Sequence, residues 1–541
     1  MGIDISGINE NNWKWHAREQ YQSDMLIPTM GMKQWKDEHR LNADFAIQTG
    51  SAFTGIYVNS WLQSDQQQIK TENLFSNHAM GLFSNIGKSA KWSITPYAGY
   101  QQQRTKTKID WGWDLGVHGE LRALKLGDYS TRLMGESNYD FYNQLQNFEN
   151  RFNISINRNF TSFTRDSLIF SFTESSKDNY TLPDYEKINT IKINKRQLQN
   201  KLFYLLSARN LFSLVTQVQS RNLVDFNERK ILYIENQFNY LHAGDNLNYG
   251  LSFRTNIESQ DNDKTITDSE TKETVINIHT GFRISEKDRL NLELSYVKFQ
   301  YDTPDDLNKD DRDEQRFVMQ GEYRRRFSPY LTMDWLAYAY LYHQIFIFKE
   351  RSANNNWNRV LKLNPRVSYR THRFSNNLST EVTANYTVYD FENELLRTRS
   401  IVFRKYVFSD SLNFKFLPWI SAGGFIRVEL EDKGTFYKKQ FAQQIIQEYD
   451  SQLYNIYLMH YHFLNFQMRL GYSYYRREEI RYLPLNTPDR VIRNHGPYLN
   501  FVYKGSEHIV LTVDTNFINL DDSLTGVSSY VTGNIRMNYL F

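Results

Sequence analysis

Apolar and polar side chains alternate along most of the chain. Trp111, Trp113, Leu115, Val117 and Leu121 interleave with Asp114, His118, Glu120 and Arg122. Leu378, Val382, Ala384, Tyr386 and Val388 interleave with Ser379, Glu381, Thr383, Asn385 and Thr387. The same period of two runs through 152–157, 167–173, 466–474 and 508–517. Side chains of a strand point to opposite faces in turn, so each run predicts a strand with one apolar and one polar face. The runs extend over about ten or more residues, which suits a membrane-barrel span better than the about five or six residues usual in soluble sheets.

Turn formers punctuate these runs at intervals of about 40 residues. They fall at Gly50-Ser51-Ala52, Gly87-Lys88-Ser89, Gly127-Asp128, Ala208-Arg209-Asn210 and Gly244-Asp245-Asn246. Others fall at Glu286-Lys287-Asp288, Ser328-Pro329-Tyr330, Ser375-Asn376-Asn377, Leu417-Pro418, Leu464-Asn465 and Gly505-Ser506. Longer polar links lie between them, near 64–73, 177–188, 259–272, 302–314, 350–358, 392–400, 432–450 and 483–491. Short turns on one side and longer loops on the other predict an all-β fold, a transmembrane antiparallel up-and-down β-barrel with short periplasmic turns and longer extracellular loops. Counting hairpins gives about 26 strands, with Ile3 to Arg18 as the first and a polar, Met-containing linker up to about Asp37. Without that first strand the count is 24. Residues 1–541 are expected to form one barrel domain with no plug domain. Within the 432–450 link, Phe441 to Tyr449 predicts either a short helix or an extension of its hairpin.

The final strand carries a further signal. Val531, Gly533, Ile535, Met537, Tyr539 and Phe541 share one face, and Thr532, Asn534, Arg536 and Asn538 the other. This pattern resembles the closing strand of bacterial outer-membrane barrels, with apolar residues at every second place before a terminal aromatic. The resemblance implies that Ile535, Met537, Tyr539 and Phe541 form a signal read by the barrel-insertion machinery, and that the protein resides in the outer membrane of a Gram-negative bacterium. Met1-Gly-Ile-Asp-Ile lacks the basic start and apolar core of a signal peptide. On this reading the numbering begins at a mature or re-engineered N-terminus.

Composition agrees with a barrel. Of the 541 residues only 40% are apolar, yet 15% are aromatic, with 37 Tyr, 36 Phe and 10 Trp. Mean hydropathy is −0.64. A barrel reconciles the two, because its lumen face is polar and its interfaces favour Tyr and Trp. No run of about 20 apolar residues predicts a transmembrane helix. The chain has no cysteine, which excludes disulfides, thiolate metal sites, cysteine nucleophiles and haem attachment on this chain. Lys and Arg total 64 against 61 Asp and Glu, a net charge of +3, so no nucleic-acid partner is expected.

Candidate chemistry is sparse. Gly81-Leu-Phe-Ser-Asn-Ile-Gly87-Lys88-Ser89 resembles a phosphate-binding loop, but it has one residue too many between its glycines and no helix pattern after it, so it predicts a hairpin turn. Asp305, Asp306, Asp310, Asp311, Asp313 and Glu314 form an acidic loop. Asp311 and Phe317 stand where a calcium-binding loop needs its glycine and its bidentate Glu. His460 and His462 share a strand face, and His343 lies far away in the sequence, so no third metal ligand is evident. Arg104, Lys106 and Lys108, and the run Arg324-Arg325-Arg326, are basic clusters suited to lipid phosphates or to strand ends in water. His118 with Asp114, and His508 with Asp514, read as lumen-face alternation. The chain is expected not to be an enzyme and to carry no catalytic, cofactor-binding or metal-binding residues.

Function follows from size. Barrels of about 16–18 strands already enclose an aqueous channel, so about 26 strands would leave a wide hole. The expected role is a transmembrane pore or sleeve whose lumen holds a partner protein. In size the chain is similar to the 26-strand sleeve barrels of porin–cytochrome conduits. That resemblance implies a multihaem cytochrome or a lipoprotein as partner, with haem only on the partner, in contact with outer-membrane lipid. The lipopolysaccharide-export barrel has the same strand number, but its N-terminal β-domain and cysteines are missing here. A TonB-type receptor would need a plug and a TonB box, and neither is found. The alternative is a general porin or a solute uptake or export channel narrowed by its own loops.

Overall fold

A computed structural model describes all residues except 1, 9–12, 28–33, 69–70, 89–90, 107, 182–186, 264–266, 306, 393–398, 464, 483–488, 507–508 and 541. The described residues form 27 strands and one 3₁₀ turn, Ser352–Asn354, with no α-helix among them. The first strands are β1 (Gly2–Ile8), β2 (Trp13–Ile27), β3 (Gln34–Thr49), β4 (Ala52–Gln68), β5 (Thr71–Lys88), β6 (Trp92–Thr105) and β7 (Lys108–Leu126). Next come β8 (Tyr129–Tyr142), β9 (Gln146–Thr161), β10 (Thr164–Tyr180), β11 (Ile188–Ser207), β12 (Asn210–Val224), β13 (Glu228–Ala243) and β14 (Leu247–Asn262). They are followed by β15 (Ser269–Arg283), β16 (Asp288–Asp302), β17 (Arg312–Arg326), β18 (Leu331–Phe346), β19 (Asn356–Arg370), β20 (Phe374–Tyr389) and β21 (Ile401–Leu417). The last are β22 (Ile420–Tyr437), β23 (Ala442–Phe463), β24 (Phe466–Arg481), β25 (Arg490–Ser506), β26 (Ile509–Asp522) and β27 (Gly526–Leu540).

From β2 to β27 every strand pairs antiparallel with the next, and the sheet curls round until β27 meets β2. The fold is an all-β, antiparallel, nearly closed barrel of 26 strands. Closure is thin. Only Met25, Leu26 and Ile27 of β2 pair with Gly533, Thr532 and Val531 of β27. The short β1 wedges into the rest of the seam, antiparallel to β2 over Gly2 to Ile8 and parallel to β27 over Gly2 to Asp4. Between these patches, residues 534–537 of β27 form no ladder across the seam among the described pairings.

Strands β2 to β27 run 14 to 22 residues, longer than the about 9–11 that a tilted span needs. Their outward side chains are apolar and exposed, as at Ile56, Met80, Leu82, Trp111, Trp113, Leu251, Leu361, Leu458 and Ile535. The inward side chains are polar and partly covered by their neighbours on the concave wall. An apolar band around a polar lumen is the surface of a membrane-spanning barrel. Closure is forced by the same solvent, since backbone groups at an open edge would face hydrocarbon unpaired.

Truly buried apolar residues are few. One small cluster of Val388, Val402 and Phe436, with Trp357 and Tyr386 against it, sits near the upper ends of β19–β22. The described ends of the link 390–400 are fastened beside it. Glu392 accepts hydrogen bonds from the Ser400 hydroxyl at 2.8 Å and from the backbone of Arg399 and Ser400, while Lys438 Nζ donates to the carbonyls of Tyr389 and Asp390.

Several sequence expectations need correction. Ile3 to Arg18 is not one strand: β1 ends at Ile8 and β2 begins at Trp13. The supposed linker up to Asp37 is mostly strand, as β2 runs to Ile27 and β3 starts at Gln34. The link at 64–73 is mostly strand, as β4 runs to Gln68, β5 starts at Thr71, and these two residues pair. The 432–450 segment is a long hairpin closing at 438–441, so of the two readings of Phe441 to Tyr449 the hairpin extension holds and the helix does not. A bulge at Lys433/Gly434 shifts its register and breaks the alternation there. Ser375, Asn376 and Asn377 lie inside β20, and the turn comes earlier, where the Phe374 N–H donates to Thr371 Oγ1 at 3.0 Å. A turn at Ser162-Phe163 went unread, because its signal is only Thr161 Oγ1 accepting from the Phe163 N–H. The two rims still differ, but less than expected, because the longest link spans only residues 390–400.

Candidate functional site on the lumen wall

The lumen face is built in rows, because antiparallel register sets inward residues of successive strands side by side. One row reads His16, Asp44, Tyr57, Gly81, Gly99, Asp114, Asp140 and Asn147 across β2 to β9. With no side chains at Gly81 and Gly99, Tyr57 lies flat across two strands and its hydroxyl donates to Asp114 Oδ2 on the third, at 2.7 Å. A Cβ on Gly81 would stand 2.7 Å from the Tyr57 ring. The adjacent row repeats the device: Tyr97 covers Gly116 and donates to Asn138 Oδ1 at 2.8 Å. In the row on the other side, Tyr142 shares its register position with Gly112 and donates to Gln101 Oε1 at 3.0 Å.

Beside these covered glycines, at the small side chain of Ala79, the wall between β3 and β8 holds a depression of about 480 Å³, with Asn42, Asn59, Asn77 and Gln101 around it. Asp114 and Asp140 face it, and Arg40 and Trp61 border it. Trp61 is held by its indole N–H on Glu38 at 3.1 Å and by Phe75, whose ring centre is 4.8 Å away. Gln101 and the nearby Asp110 are 4% and 3% exposed. Asp110 receives the Tyr180 hydroxyl at 2.8 Å. Among the described residues, Asp110, Asp114 and Asp140 form no salt bridge.

The opposite wall is different in kind. Its carboxylates are matched by cations: Arg254 with Glu273 at 2.7 Å, Lys362 with Glu381 at 2.7 Å, and Glu314 between Arg312 and Arg316. Lys405 bridges Glu429 and Glu431, and Arg427 also reaches Glu429. Such pairing leaves a polar surface with little field of its own.

The sequence-predicted chemistry is dispersed. Gly81 to Lys88 lie within β5, so the expected turn does not fall on them, and Ser89 lies outside the described residues. In the acidic loop Asp311 accepts from the Thr303 hydroxyl at 2.6 Å, Asp310 pairs with Arg351 at 2.7 Å, and Glu314 belongs to the wall; Asp306 lies outside the described residues. His343 bonds Asp390 at 2.8 Å and stacks on Trp357 near the upper rim. His460 stacks on Phe466 near the lower rim. The two histidines therefore do not converge, and no group of three metal-ligating side chains occurs among the described residues. Arg104 donates to the Lys106 carbonyl at 2.9 Å, and Arg324 pairs with Asp334 at 2.5 Å. Asp114 is engaged by Tyr57 rather than His118, and Asp514 by Asn500; His508 lies outside the described residues. Of the C-terminal signal, Ile535 is exposed on the apolar face, Met537 and Tyr539 lie in β27, and Phe541 lies outside the described residues.

No protein-family model and no curated protein matches the sequence. Among solved structures, the siderophore receptor PirA from Pseudomonas aeruginosa aligns over 89% of this chain and 86% of its own, at 9% identity and a TM-score of 0.40. The FrpB iron transporter from Neisseria meningitidis aligns over 89% and 87%, at 9% identity and a TM-score of 0.40. The copper transporter OprC aligns over 96% and 82%, at 10% identity and a TM-score of 0.37. Likeness at this level carries no functional argument, and the fold stands on the chain's own strand pairing.

Tyr57, Tyr97, Gly99, Gln101 and Asp140 were not singled out by sequence reasoning. The available signal was the phase of the glycines: Gly112, Asp114 and Gly116 alternate on the polar face. Without register, nothing shows that Tyr57 overlies them.

Proposed function

We propose that the chain is a bacterial outer-membrane barrel forming a transmembrane pore or sleeve, with its lumen occupied by a folded partner protein. The observation that carries this is a 26-strand wall joined by short links. At strand spacings of about 4.8 Å and tilts of about 40°, such a wall encloses a cylinder about 50 Å across, with about 35–40 Å free between side chains. The longest link, residues 390–400, folded back on itself reaches about 18 Å at most. Its described ends are also held at their own rim by Glu392 and Lys438. Self-narrowing by loops is therefore the weaker reading. A hole of this width would void the membrane as a barrier unless filled. With no cysteine for thioether attachment, haem in such an assembly would belong to the occupant, a multihaem cytochrome or a lipoprotein.

Planar-bilayer recording of the purified chain alone tests this. Large openings are expected, and they should diminish when a co-purifying protein is retained. A small, stable, selective conductance from the chain alone would refute the reading.

A further inference from the structure

The depression between β3 and β8 has the marks of a binding site. Its volume of about 480 Å³ lies in the range of small-molecule sites, about 300–1,000 Å³. We propose that it binds a neutral polyhydroxylated solute, a saccharide unit held by Asp114, Asp140 and the surrounding amides. The inference goes beyond the pore reading and does not depend on what fills the lumen.

Its chemistry selects the ligand class. Two carboxylates, Asp114 and Asp140, occupy directly opposed positions on neighbouring strands, so an anion is repelled. Arg40 borders the same space but is ion-paired with Glu38 at 2.5 Å, so its charge is already matched, and the described residues offer no metal-ligand group for a multivalent cation. Asn42, Asn59, Asn77 and Gln101 surround the recess, and each amide carries both donors and an acceptor. Hydroxyl groups are donors and acceptors at once, so a polyol can satisfy amides and carboxylates together. A charged ligand would leave one set unmatched, at the cost of an unsatisfied buried polar group.

The recess is also preorganised. Asp114 is oriented by the Tyr57 hydroxyl at 2.7 Å, yet an ionised carboxylate has about four lone-pair sites, so acceptor capacity remains. Gln101 is fixed by the Tyr142 hydroxyl at 3.0 Å. These groups stand on paired strands rather than loops, and a second layer of tyrosines locks them, which is how a binding constellation is kept precise. A lumen occupant resting on the surrounding wall would leave the recess wet.

The test uses the full chain in detergent, with titration calorimetry and saturation-transfer NMR. The probes are neutral di- and trisaccharides of glucose, mannose and N-acetylglucosamine, with lysine and inorganic phosphate as charged comparators. Saturable binding of at least one saccharide is expected. Asp140→Asn and Ala79→Phe should each weaken it about ten- to a hundredfold, the loss expected for one charged hydrogen bond or a filled site. Lys362→Gln, on the far wall, should leave it unchanged. All variants are first checked for the heat-modifiable gel migration of a folded barrel, and Ala79→Phe decides if Asp140→Asn fails to fold. The proposal is overturned by no saccharide binding at about 10 mM, by binding unaltered in the recess variants, or by preferential binding of lysine or phosphate.

Discussion

Gly99 and Gly119 look interchangeable in the sequence, yet they stand in opposite environments. A Cβ on Gly99 would strike the Tyr57 hydroxyl and stand 2.8 Å from the Met80 carbonyl oxygen. A Cβ on Gly119 would find nothing nearer than Ile94 Cγ1 at 4.0 Å. Valine favours strands, so intrinsic propensity alone predicts a gain at both. Packing reverses this at Gly99. Gly99→Val is expected to destabilise by about 1–3 kcal/mol through overpacking. Gly119→Val should stay within about 0.5 kcal/mol. The temperature at which the folded band is lost on gels measures both, and equal shifts would contradict the Tyr57 geometry. The residue scale is also where the sequence said least. That Trp111 and Asp114 face opposite ways follows from period two, but that Tyr57 reaches Asp114 over two strands requires the register of four.

At the scale of the element, the seam is the weak point. Neighbouring strands elsewhere pair along nearly their whole length, as β12 does with β13 from Asn210 to Val224. Across the seam β2 and β27 share three positions, and β1 supplies three more. Backbone amides of residues 534–536 should therefore exchange with deuterium faster than those of 212–222, read by mass spectrometry in detergent. Equal protection would show that the seam is fully zipped. Strand existence was legible from about Asp37 onward, because lipid on one side and water on the other enforce alternation, but not in β1 and β2. Boundaries were less so. Ser375, Asn376 and Asn377 look like a turn, yet in β20 Asn376 bonds Asp410 and Ser379 bonds Ser409 at 2.7 Å. Polar residues on both faces of a strand end mimic a loop. At 432–450 the bulge hid a hairpin, since one extra residue inverts the faces beyond it.

Apart from Asp110, Asp114 and Asp140 on the β3–β8 wall, the lumen charges at the scale of the whole molecule are largely paired, most densely where Lys405 sits between Glu429 and Glu431. Selectivity needs a ring of one sign, and the net charge of +3 supplies none. The purified barrel is expected to pass cations and anions almost equally. Under a salt gradient its zero-current potential should stay near zero, whereas a value approaching the Nernst potential of either ion would reveal an unseen charged constriction.

The thin closure has a consequence for how the wall comes into being. Every antiparallel pairing from β2 onward joins neighbours in the chain, so each step closes only a short loop and can follow directly on the last. The seam alone joins positions near residue 26 to positions near residue 532. It cannot form until every hairpin is in place. Until then the protein is an open sheet with two sticky margins. Assembly is thus a zipper with one non-local step at its end, and β1, paired with β2 over Gly2 to Ile8, occupies part of the margin which that step must close.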